Sequence, residues 1–116
     1  MPVKRLNADL IASAPVFAAL GDVTRLRLVA RLSGGRPQSI TQLAEGSAVT
    51  RQAITKHLHV LAEAGLVRGR THGREQMWEL NPRQLQEARR RLDLIAHQWE
   101  GTLARLKLML EDEGEG

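Results

Sequence analysis

The sequence predicts a mainly α fold with one small β-hairpin, and three observations carry that prediction. Apolar residues recur at helical spacing along most of the chain. One pair of short extended runs flanks a Gly-containing turn at Gly73, and Asn81-Pro82 opens a heptad pattern that continues to about Leu110. At 116 residues the chain has the length of a single domain, 1–116, which buries roughly 65% of the surface its unfolded form exposes.

The first helix is expected over 8–20, with Pro15 starting or kinking it at that point. Asp22, after Gly21, caps a second helix, VTRLRLVARLS. There Val23, Leu26 and Ala30, with Leu28, Val29 and Leu32, form a wide apolar arc that GGRP ends. Ser39 caps a short third helix, ITQLAEG, which carries Ile40, Leu43 and Ala44 at helical spacing. A turn of about three residues through Gly46 and Ser47 leads to Thr50, the cap of a fourth helix that stops at Gly65, a C′ position with positive φ.

On a helical wheel that fourth helix groups Ile54, Leu58 and Leu61, flanked by Ala53, Val60 and Ala64, toward a core. Arg51, Gln52, Thr55, Lys56, His59 and Glu63 occupy the opposite side. LVRGR, THGR and EQMWEL then make the hairpin, with Gln76, Trp78 and Leu80 alternating against Met77 and Glu79. Asn81 as N-cap and Pro82 at the first helical position open a helix over 82–110, roughly 43 Å long. Leu85, Leu92, Trp99 and Leu106 recur every seventh residue, with Ile95, Ala96, Leu103 and Leu110 beside them. This seam is too long for a small domain to cover, which predicts a dimer formed through the 82–110 and 8–20 helices.

Charge is unevenly placed. The chain holds 17 Lys and Arg against 13 Asp and Glu, a formal net charge of +4, and residues 47–74 alone carry that surplus in Arg51, Lys56, Arg68, Arg70 and Arg74 against Glu63. The stretch after 81 is close to neutral and ends in the acidic EDEGEG. A local basic face points to a polyanion partner.

Two short helices joined by a tight turn (39–65), the second with a basic outer face, followed by a basic hairpin wing (66–80), make a winged helix-turn-helix with a long C-terminal dimerisation helix. Such a helix fits the major groove of duplex DNA. Arg51 and Gln52 are the candidate base readers, since Arg pairs bidentately with guanine and Gln with adenine, while Thr50, Thr55 and Lys56 hold phosphates or make shorter contacts. Arg70, His72 and Arg74 form a wing tip that straddles the backbone or reaches an adjacent minor groove, with Gly73 serving the turn. The competing readings are a merely solvated helix face and a solubilising hairpin.

FAALGDVTRLRLVARL and SITQLAEGSAVTRQAITKHLHVLAEAGLVRGRTHGREQMWEL resemble the corresponding stretches of the ArsR/SmtB-type winged-helix repressors. Leu20, Asp22, Thr24, Arg25, Thr55, His57, Leu58, Leu61, Ala64, Gly65, Leu66, Val67, Gly73, Arg74 and Leu80 match that family's pattern. The resemblance covers 16–80 and extends to the flanking helices by layout. It implies a homodimeric DNA-binding repressor whose first and last helices form the dimer interface. The chain departs from the family's metal sensors, many of which carry a cysteine pair where this chain has Ser39, Ile40, Thr41 and Gln42. Others place Asp and His ligands on the last helix; here Asp93 and His97 lie one turn apart with no further His, half a site that only a second copy could complete. No metal and no cofactor is expected, and the bland alternative for Asp93 and His97 is a polar surface pair.

His57 lies beside Ile54 and Leu61 and is expected to pack with one nitrogen bonded, with a phosphate contact as the alternative; His59 is expected to be simply exposed. Trp99 falls on the heptad seam, as dimer core or else as a ligand-stacking group. Cysteine is absent, which excludes disulfides, thiolate zinc sites and a cysteine nucleophile. No phosphate loop, GxSxG or HExxH occurs, so no enzyme is expected. No apolar run has the length of a membrane span or signal peptide, and a cytoplasmic protein with no membrane role is expected. The reading is a transcriptional regulator, a homodimer on a pseudo-palindromic double-stranded operator, with no inducer legible. The alternatives are a metal-responsive regulator with an atypical Asp/His site, or a helical protein-interaction module with no DNA role.

Overall fold

The computed structural model describes residues 3–115, so Gly116, the last residue of the acidic terminus, lies outside the described residues. The elements are α1 (Val3–Leu20), α2 (Val23–Leu32), β1 (Gln38–Ser39), α3 (Ile40–Ala44), α4 (Arg51–Glu63), β2 (Val67–His72), β3 (Glu75–Leu80) and α5 (Pro82–Glu115).

α1 begins ahead of the expected residue 8 and runs unbroken through Pro15. A proline there deprives the Ile11 carbonyl of its hydrogen bond. Ile11 and Pro15 are both exposed, so water can serve that carbonyl, while Ser13, Val16 and Ala19 are buried on the other side. Burial outweighs the one lost bond. In α2, Asp22 caps as expected, accepting from the Arg25 N–H at 3.0 Å. The apolar arc is narrower than the wheel suggested: Leu28 and Leu32 are buried, whereas Val23 and Leu26 face solvent, because neighbouring elements cover only one stripe of the helix.

α3 has five residues and is secured at both ends. Ser39 and Gln42 form a reciprocal capping box, with Ser39 N–H donating to Gln42 Oε1 at 2.9 Å and Gln42 N–H to Ser39 Oγ at 3.2 Å. At the other end Arg31, from α2, donates to the carbonyls of Gln42, Leu43 and Glu45 at 2.9, 2.9 and 3.0 Å. The connection to α4 spans Glu45–Thr50, longer than the expected turn of about three residues. Its coil is held locally, Ser47 N–H on Ala44 O and Val49 N–H on Ser47 Oγ, both at 3.0 Å.

Thr50 Oγ1 accepts from the Ala53 N–H at 3.1 Å and starts α4 where expected. The helix stops in a Schellman turn, Leu66 N–H on Leu61 O and Gly65 N–H on Ala62 O, both at 2.9 Å. Gly65 takes φ +77°, and a Cβ there would meet Gln84 Cγ of α5 at 2.9 Å. The expected hairpin is present, Val67 opposite Leu80 through His72 opposite Glu75. Gly73, φ 64°, sits at the first turn position, where a type II′ turn needs a positive φ. A third antiparallel strand was not anticipated: β1 pairs with β3, Gln38 opposite Trp78 and Ser39 opposite Met77, in the order β1-β3-β2. Two residues are too few for an alternating pattern to reveal a strand.

The core joins Leu32, Leu43, Ile54, Leu58, Leu61 and Leu66, with Trp78 from the wing and Ala88 from α5. Val60 is an exception to the wheel, 40% exposed. α1 docks along α5, where the Arg91 guanidinium donates to the buried Ser13 hydroxyl. α5 has 34 residues, roughly 51 Å, and it draws the molecule out to 74 Å.

Candidate nucleic-acid interface

The buried stripe of α4 determines what its other side can do. With Ile54, Leu58 and Leu61 almost fully enclosed, Arg51, Gln52 and Lys56 are turned to solvent, and among the described residues none of the three is in an ion pair or side-chain hydrogen bond. Guanidinium, amide and ammonium groups are thus free in the first turns of one helix. The two threonines differ. Thr50 uses its oxygen as an acceptor in the cap, so its hydroxyl proton remains free to donate to a phosphate. Thr55 is half-buried, and its hydroxyl donates to the Arg51 carbonyl at 2.9 Å.

Across the wing His72 and Arg74 are exposed beside the Gly73 turn. Arg70, a wing-tip residue by sequence, is in an ion pair: its Nε lies 2.8 Å from Glu79 Oε1, and Arg68 Nε donates to the same oxygen at 2.7 Å. Sequence reasoning counted Arg68 as charge but did not place it at the site. Its position two residues before Arg70, on the same face of β2, was the available signal. Both guanidinium groups stay more than half exposed, so their outer nitrogens still face solvent.

His57 takes the packed position. Its Nδ1 lies 3.3 Å from Arg25 Nη1 and 3.9 Å from Asp22 Oδ2. A guanidinium only donates, so in this contact Nδ1 is the acceptor. Arg25 also donates from Nε to Ala19 O at 2.6 Å, tying the end of α1 to the recognition helix. The Asp22 carboxyl is held below the usual carboxylate range, first by the hydrogen bond from the Arg25 backbone N–H, with the charge of Arg25 adding to it. His59 is more than exposed: its ring lies against Trp78 with centroids 5.8 Å apart, joining α4 to the wing sheet.

On α5, Leu92, Trp99, Leu103 and Leu106 are about half exposed or more, and Ile95 is 36% exposed. Leu85 is the exception among the expected interface residues, since it packs against the protein's own core. Asp93 and His97 stand exposed one turn apart, and among the described residues no group of three or more His, Asp or Glu side chains is placed to hold a metal ion. No described helix is long and apolar enough to cross a membrane.

A family model described as a helix-turn-helix domain matches residues 20–70. The HTH-type transcriptional regulator Rv2034 of Mycobacterium tuberculosis is 35% identical over 99 residues, covering 85% of this chain and 89% of that protein. A solved structure of an ArsR-like transcriptional regulator from Rhodococcus sp. RHA1 superposes with a TM-score of 0.74 at 38% identity, covering 86% of this chain and 93% of that one. The chain belongs to the ArsR-like transcriptional regulators. The fold of this ArsR-like regulator is also that of the homodimeric winged helix-turn-helix DNA-binding domain Mb0332 from Mycobacterium bovis, with a TM-score of 0.61 at 21% identity over 84% of this chain and 91% of that one. As an ArsR-like protein, it is a DNA-binding regulator of transcription, and the free cations of α4 and the wing lie within the elements that give the fold its name. The family is one of regulators rather than enzymes.

Proposed function

We propose that the protein is a homodimeric cytoplasmic repressor that binds a pseudo-palindromic operator. Residues 50–56 lie in the major groove, with Arg51 and Gln52 on base edges and Thr50, Thr55 and Lys56 on phosphates or in shorter contacts; Arg68, Arg70, His72 and Arg74 of the wing follow the backbone or an adjacent minor groove. One observation carries this reading: the first turns of α4 present exposed, unpaired Arg51, Gln52 and Lys56 directly opposite an enclosed apolar stripe. The unpartnered seam on α5, together with the homodimeric description of the Mycobacterium bovis neighbour, supports a two-fold assembly. Its two recognition helices enter successive major grooves about 34 Å apart.

Selection of bound duplexes from a random library defines the operator, and variants then separate the roles. Arg51→Ala and Gln52→Ala each cost about 1–3 kcal/mol on the selected site and relax preference at particular base pairs. Lys56→Ala and Arg74→Ala weaken operator and random duplex alike and lower the salt slope by about one per contact removed in each half-site. If Arg51→Ala and Gln52→Ala leave preference intact while Arg74→Ala abolishes it, the wing is the reader. If no site is selected and binding is insensitive to salt, the helical interaction module replaces this reading.

A further inference from the structure

Between α2, the connection Glu45–Thr50 and the start of α4 lies a cleft of about 600 Å³, open to solvent on one side and within the size range of small-molecule sites. Its floor is apolar, made by Leu28, Leu43, Val49 and Ile54. Its lining includes Arg27 and Arg31, one helical turn apart on α2, and Glu45, whose carbonyl accepts from Arg31. Arg31 is committed to three carbonyls at the end of α3. Arg27 is exposed and among the described residues makes no ion pair. Like charges one turn apart repel, and a bound anion between them relieves that repulsion. An apolar floor beside one uncommitted guanidinium suits an amphiphile with an anionic head, which the planar fork can grip with two parallel hydrogen bonds. The Glu45 carboxylate also lines the cleft and repels a doubly charged head more strongly than a singly charged one, so the match is to a carboxylate rather than a phosphate.

We propose that this cleft binds a small amphiphilic monocarboxylate and that its occupation loosens operator binding; the second half rests on the DNA-binding reading above. The coupling follows from what forms the wall. The stretch from Glu45 to Val49 lines the cleft and leads straight into Thr50, the cap of α4. A ligand seated between α2 and this stretch displaces the first turn of α4, and with it Arg51 and Gln52. The wing is held separately by its sheet. The two reading elements then no longer share one spacing, and by linkage DNA and ligand each weaken the other by the same factor.

The test uses the whole chain, with octanoate as probe and 1-octanol as its neutral counterpart. Calorimetry reads ligand binding, anisotropy of a labelled operator reads DNA binding, and light scattering follows the oligomeric state. Octanoate is expected to bind the wild type, and Arg27→Gln, which removes the charge, and Ala30→Met, which fills the cleft, each weaken it by about fivefold or more. Octanol binds weaker by a similar factor, and saturating octanoate lowers operator affinity of the wild type by about fivefold or more while leaving Arg27→Gln nearly unaffected. Absent binding, or equal binding by the wild type and both variants, overturns the site. So does a fall in dimer mass on adding octanoate, which would put the probe on the α5 seam. Arg27-dependent binding with unchanged operator affinity overturns the coupling alone. Arg27-dependent binding by a wild type that recognises no duplex supports the site and overturns the DNA reading instead.

Discussion

Removing the guanidinium of Arg31 asks how a helix of five residues is kept folded. Nucleating a helix costs more than so short a segment returns, so α3 depends on its ends. The capping box secures one end, and at the other Arg31, through Nη1 on Leu43 and Glu45 and Nη2 on Gln42, adds to the backbone bonds of Glu45 N–H on Gln42 O and Ser47 N–H on Ala44 O. A hydrogen bond to a charged group contributes about 1.5–3 kcal/mol, which summed over three would reach about 4.5–9 kcal/mol. Only the Leu43 bond is partly buried and the other two are exposed, where water replaces most of what is lost. Arg31→Ala is therefore expected to cost about 2 kcal/mol, and Arg31→Lys about half that, since an ammonium keeps the charge at a helix C-terminus but cannot span three carbonyls. Urea unfolding at fixed protein concentration checks this, as a lower midpoint with an unchanged slope. Because α3 anchors the connection to α4, operator affinity should fall further than random-duplex affinity. A loss below about 0.5 kcal/mol for Arg31→Ala would refute the argument, since a satisfied end of α3 would then be worth little. Arg31→Lys indistinguishable from the wild type would show that charge suffices and the fork geometry does not matter.

Glu79→Gln should release Arg68 and Arg70 from their shared carboxylate and leave the wing more positive, so random-duplex affinity rises and the salt slope steepens by up to about one per half-site; weaker non-specific binding would mean that Glu79 chiefly orients the two arginines. The lowered Asp22 pKa means the folded state favours its carboxylate. Its stabilisation is thus complete above the unfolded value of about 4 and is lost as pH falls through the folded value, and Asp22→Asn, which can still cap α2, should show a flatter loss of stability in acid titrations below about pH 4. Glu at Leu92, Trp99 or Leu106 should yield monomers at micromolar concentration by light scattering and weaken operator binding with them, whereas a monomeric wild type would remove the dimer from the proposal.

Helix caps were the most legible part of the sequence. Asp22, Ser39 and Thr50 each act through one side-chain oxygen on a backbone N–H three residues on, a local interaction that needs no knowledge of the fold. Gly65 was legible for the same reason, since a positive φ is a property of one residue. What escaped depends on distant partners. Pro15 was read as a break because its cost is local, while the burial of Ser13, Val16 and Ala19 that offsets it comes from other elements. Val23, Leu26 and Val60 satisfy a helical period yet stay exposed, because periodicity identifies a face but not whether anything covers it. At the site, Arg51, Gln52 and Lys56 stand where the wheel put them; the Glu79 clasp on Arg70 needed the register of β2 on β3, which pairs Arg68 with Glu79.

The distribution of burial separates two jobs within one chain. Every core residue lies between Val16 and Ala88, so α2, α3, α4 and the wing close their core with help from α1 and only the first turns of α5. Beyond Ala88 the helix continues for some seven turns with Leu92, Trp99, Leu103, Leu106 and Leu110 exposed along one stripe, uncovered by the other described residues. Leaving so much apolar surface in water is costly for a monomer. The neighbouring surface is already arranged: α1 lies along α5, joined by the Arg91–Ser13 contact, and Ile11 of α1 is 73% exposed. A second copy laid on the α5 stripe would therefore meet α1 as well. In the dimer proposed above that surface serves assembly and the closed core DNA reading, so losing the partner should remove cooperative occupation of two half-sites while leaving each recognition helix folded on its own core.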